Sequence, residues 1–225
     1  MHISNNPSSY TTAQANSTSS ATKASKSDFA SMFAVAQDGQ NTDEKSVTLD
    51  TSNGKIKIDI EKYFAPQQNT GPINIKDVPL LMPSKNNIEA LKSYASDEFK
   101  TMMADYGIPE APSKISYDAE GKIQFPADYP YTDKVKSALD ENPALERAMR
   151  TASALTSHYV AIQERMPFME AMNSAQSQAV IDMLIAKYSH LLNDNHDYQD
   201  IALAFSEDGD MSITADSKPY DDVLA

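Results

Sequence analysis

Val47-Thr48-Leu49, then Asp50-Thr51-Ser52-Asn53-Gly54, then Lys55-Ile56-Lys57-Ile58-Asp59-Ile60 is the stretch on which the fold class turns. Two short alternating runs flank an Asn-Gly step, the strongest short-range signal for a β-hairpin. Ile56, Ile58 and Ile60 share one face, and Lys55, Lys57 and Asp59 the other. Such a ribbon is buried on one side and wet on the other.

Two more stretches read the same way. They are residues 115–125, turning at Asp118-Ala119-Glu120-Gly121, and residues 201–213, turning at Glu207-Asp208-Gly209-Asp210. Both place a Gly late in a short acidic turn, where a left-handed residue is needed.

Helical spacing fills the gaps. Ser84 caps a segment running to about Tyr106, in which Ile88, Leu91, Ala95, Phe99, Met102 and Met103 form a buried stripe. Gly107 and Pro109 stop it. A shorter helix is expected from Thr132 to Leu139. Asn142-Pro143 then opens a helix reaching about Arg165, with Leu145, Met149, Ala152, Leu155, Tyr159 and Ile162 on one face. Pro167 breaks or kinks it. A second long helix is expected to about Leu192, turning Met172, Ala175, Ala179, Val180, Met183, Leu184, Tyr188 and Leu191 inward, and packed antiparallel to the first.

Hairpins separated by helices, without alternating βαβ units, predict an α+β fold. Antiparallel hairpins pack against a helical layer that includes two long antiparallel helices. The expected boundaries are a disordered tail over 1–46, one domain over 47–216 and a frayed end over 217–225. Residues 65–83 form a Pro-punctuated connector pinned to the core by Leu80, Leu81 and Met82.

The tail is expected to be disordered because residues 1–32 hold 9 Ser and 4 Thr and few apolar side chains to offset the entropy of ordering. Its composition, rich in Ser, Thr and Asn and poor in acids, resembles the signals of bacterial type III and flagellar export substrates. That resemblance implies an exported protein with a secretion chaperone as a partner. The N-terminus has neither the basic nor the apolar region of a Sec signal peptide. The expected location is cytoplasmic, or secreted by another route.

The chain of 225 residues carries 19 Lys and Arg against 32 Asp and Glu, a formal charge of −13. Residues 1–46 hold Lys23, Lys26 and Lys45 against Asp28, Asp38, Asp43 and Glu44, so −12 belongs to the rest. That balance argues against nucleic acid and anionic membrane as partners. No stretch is long and apolar enough to span a bilayer. With no Cys, disulfides, thiolate catalysis and Cys-ligated metals are excluded. No phosphate-binding Gly-rich loop, nucleophile elbow or paired-His metal spacing occurs, and no cofactor is expected.

Three surfaces remain as candidates. The first is the loop Asp128-Tyr129-Pro130-Tyr131-Thr132-Asp133, where aromatic side chains beside carboxylates suit a sugar-binding or hydrolytic module. The second is the corner Met166-Pro167-Phe168-Met169, where Met166, Phe168 and Met169 offer an adaptable apolar contact for a protein. The third is Asn193, Asn195 and Asp197, hard oxygens suited to a calcium-stabilised domain. As an EF-hand that loop lacks the Gly at its sixth position, which is Tyr198, and the Glu at its twelfth, which is Ala204. The favoured expectation is a non-enzymatic bacterial protein that acts through protein–protein contacts.

Overall fold

A computed structural model describes residues 46–66, 79–192, 199–220 and 222. All lie in the unit spanning Asn41 to Ala225. The expectations for the tail over 1–45, and for calcium at Asn193, Asn195 and Asp197, fall outside these residues; Ser46, assigned to the tail, instead opens the first strand.

The first hairpin pairs β1 (Ser46–Thr51) with β2 (Gly54–Asp59). Its loop is Ser52-Asn53, because Thr51 already pairs with Gly54. Gly54, at φ 98°, carries the left-handed conformation. The Thr51 hydroxyl braces the turn, accepting from the Asn53 amide and donating to the Gly54 carbonyl. Strand β2 ends one residue earlier than its alternation suggests. The Asp59 carboxylate accepts from the Lys62 amide and caps a short helix, α1 (Ile60–Phe64). Ile60 is buried all the same, at the head of that helix.

Helix α2 (Lys85–Asp105) starts where Ser84 accepts from the Asn87 amide, and the six expected stripe residues are all buried. Asn87 on its first turn clamps the hairpin. Its Oδ1 accepts from the Asp50 amide at 2.7 Å, and its Nδ2 donates to the Asp50 and Met82 carbonyls at 2.7 and 2.8 Å. Of the connector residues, Leu81 bridges to Thr51 and packs on the core, whereas Leu80 and Met82 are exposed. All three hold the chain, but only Leu81 by burial. The Leu80 carbonyl accepts from the Ser52 amide and the Met82 amide donates to the Asp50 carbonyl, while their side chains face out, as alternation in an extended segment requires.

The other two hairpins share one antiparallel sheet. Strands β3 (Lys114–Tyr117), β4 (Ile123–Gln124), β5 (Ile201–Phe205), β6 (Met211–Ala215) and β7 (Lys218–Pro219) are ordered β4-β3-β5-β6-β7. Pairing of β3 with β5 joins segments about 85 residues apart. The expected fraying of 217–225 is corrected over Lys218–Tyr220. Asp216 and Ser217 turn with φ 50° and 65°, β7 pairs with β6, and Tyr220 is buried with its hydroxyl on Glu89. At the β5–β6 turn, Gly209 lies against α2. A Cβ there would meet Lys100 Cγ at 3.1 Å, and the backbone is left-handed at φ 82°. Lys100 pairs with Asp210 beside it, and the Met211 amide donates to Ser96 Oγ.

Helix α3 (Thr132–Glu141) leads into α4 (Pro143–Asn173), with Pro143 in its first turn. The Asn142 side chain donates to the Ala138 carbonyl, so it closes α3 and leaves the start of α4 without a side-chain cap. Helix α4 packs along α2 and buries Leu145, Ala148, Met149, Ala152, Leu155 and Val160. It then runs through Pro167 to Asn173. The expected break at Pro167 is corrected: Pro costs the bond to the Gln163 carbonyl, but its exposed ring does not end the helix. The break falls at 174–177, where Ser177 caps α5 (Gln178–Lys187), followed by α6 (Ser189–Leu192). The two long helices are therefore α2 and α4.

Candidate interaction surface

Burial along α4 stops at Val160. From residue 161 to residue 192 no side chain is buried. Yet this segment contains Ile162, Met166, Phe168, Met169, Met172, Val180, Ile181, Met183, Leu184 and Ile185. The last 13 residues of α4 extend about 20 Å beyond the core at 1.5 Å per residue. At the base, Gln199 donates to the Glu164 carboxylate, tying the outgoing helix to the strand that re-enters the core.

The two helices double back on each other. The Phe168 and Tyr188 rings lie 5.3 Å apart although 20 residues separate them, and Lys187 sits over Tyr188 at 5.0 Å. Val180, Ile181, Leu184 and Tyr188 are half-buried and follow a three–four spacing, as the α5 face turned to α4 would. The outer faces are apolar as well. Ile162, Met166 and Met169 recur along one side of α4, and Met183 and Ile185 stand out on α5; together with Leu192 they are 41–65% exposed. These six side chains, spread over three helices, together expose apolar surface on the order of 600 Å².

The corner residues named from the sequence thus belong to this arm. Met166 and Met169 are exposed, and Phe168 is half-buried against Tyr188. Ile162 and Met183, expected to point inward, point outward instead. Their periodicity is helical, but among the described residues nothing covers the face it marks.

The aromatic loop serves the core. Tyr129 and Tyr131 pack against it, and Phe125, Tyr129 and Tyr131 form a chain of rings 6.1 and 5.8 Å apart. The Tyr129 hydroxyl donates to the Glu110 carbonyl at 2.7 Å. Burial, with Glu110 and Tyr131 nearby, pushes its pKa up to about 12. Asp128 and Asp133 are exposed. The open cleft nearby, about 470 Å³, is lined by Lys122, Gln124, Lys136, Asp140 and Glu146; none of Asp128, Tyr129 and Tyr131 reaches it. Tyr117 on β3 is held neutral, its pKa raised by burial and by Glu146, with Arg150 opposing.

Among the described residues, no group of three or more His, Asp or Glu could hold a metal ion. No described helix is long and apolar enough to cross a membrane. No family model, curated protein or solved structure matches the chain.

Proposed function

We propose that the chain acts as a non-enzymatic interaction protein whose working surface is the helical arm over residues 161–192. The observation that carries this reading is an apolar, two-helix projection with no buried side chain. Exposed surface of that kind lowers solubility and stability unless a partner covers it. The sheet and α2 form the platform from which the arm projects. Methionines on its outer faces suit a contact that must adapt its shape, since the thioether chain is flexible and polarisable.

The test is site-specific photo-crosslinking in the native cell. A benzophenone side chain at Met166 or Met183 is expected to give discrete covalent products. The same group at Asp128 or Glu120, both exposed on the platform, is expected to give none. Products from Asp128 with none from the arm would overturn the reading in favour of the aromatic loop.

A further inference from the structure

We propose that the arm is covered by a second copy of this chain, α4 against α4 about a two-fold axis near Met166. This rests on the arm being the interaction surface. Three observations select a second copy over another occupant.

The first is charge. Residues 161–192 hold Glu164, Glu170 and Asp182 against Arg165 and Lys187, so −1 of the chain's −13 lies on the arm. Two such acidic molecules repel wherever their platforms meet. On the arm they can touch almost without electrostatic cost. A basic partner would be drawn to the platform instead.

The second is symmetry. Ile162, Met166 and Met169 lie four and three residues apart, the spacing of a helix–helix seam. A stripe centred on Met166 is self-complementary when its copy runs antiparallel, as a two-fold contact requires. Two doubled-back helices from each copy would complete a four-helix bundle.

The third is size. The three α4 side chains carry about half of the arm's exposed apolar area, on the order of 300 Å² per copy, a small contact that matches a weak, reversible dimer rather than an obligate one.

The experiment uses the full chain. Sedimentation velocity at concentrations on the order of 50 µM is expected to show a dimer that dissociates on dilution. The variant carrying Ile162→Lys, Met166→Lys and Met169→Lys is expected to remain monomeric with an unchanged melting midpoint. Because the natural chain has no Cys, Met166→Cys gives a second readout: a short bismaleimide should link it into a covalent dimer at least ten-fold faster than Asp128→Cys. A wild-type chain that stays monomeric, a triple variant that still dimerises, or a Met166→Cys chain linked no faster than the control would each overturn the second copy. Photo-crosslinks from Met166 to a different protein, or within one chain, would also overturn it. A different partner would leave the arm's role as an interaction surface standing, and no arm crosslink of any kind would remove both readings.

Discussion

Asn87 holds the first hairpin through contacts that no spacing rule announces. One amide side chain satisfies both backbone groups of Asp50 and the carbonyl of Met82, and it is wholly buried. Asn87→Ala would strand the Asp50 amide, whereas the Asp50 carbonyl keeps the Met82 amide at 2.9 Å and the Met82 carbonyl keeps the Ser84 amide at 2.8 Å; one buried unpaired polar group costs on the order of 1–3 kcal/mol. A loss of about 2 kcal/mol in urea unfolding is expected; a loss under about 1 would mean that the hairpin does not depend on the clamp. Tyr129 gives a prediction with a pH sign. Its folded pKa is raised to about 12 from the ordinary 10. The folded state therefore holds the proton more tightly than the unfolded chain does. The stability this contributes is complete below pH 10 and drains as pH rises toward 12. The advantage of wild type over Tyr129→Phe should be present at pH 8 and narrow between pH 10 and 12 in chemical denaturation. An advantage that widens there would contradict the assigned hydrogen bond to Glu110.

At the scale of elements, α4 divides at Val160 into a half that packs and a half that does not. Local opening should follow that division. In dilute solution, amides at 161–173 and 178–187 are expected to exchange far faster than those at 145–160. Pro167→Ala should restore a helical bond to the Gln163 carbonyl and slow exchange around it. The local gain should be about 1–3 kcal/mol, with global unfolding unchanged. Equal protection on both sides of Val160 would contradict the free arm. The same division explains what was legible in the sequence. Helix α2 could be read whole, because its cap, stripe and terminating Gly107 all agree. The three hairpins could be read because turn chemistry is local. Pairing of β3 with β5 could not, since nothing short-range links Ile115 to Leu203. Strand β7 was hidden by a turn built from Asp216-Ser217 without the usual Gly. Along the arm, periodicity revealed an apolar stripe but carries no information about what covers it. For that reason Met166 and Met169 stood out at their corner while Ile162 and Met183 were read as core.

The whole molecule combines a strongly acidic platform with a nearly neutral apolar arm, and salt separates the two ways it can meet a partner. If two copies join through the arm, their platforms still face each other across a short distance at −13 per chain. Added salt screens that repulsion, with a Debye length that falls from about 30 Å at 0.01 M to about 8 Å at 0.15 M. Dimerisation should therefore tighten over that range. A cationic partner seated on the platform would behave in the opposite way, because its attraction is screened. Analytical ultracentrifugation at the two ionic strengths reads the sign directly. Tightening is expected for the wild type, and neither condition should produce a dimer of the triple-Lys arm variant. Weakening by salt would move the contact off the arm and onto the acidic platform, since apolar burial alone does not lose strength when ions are added.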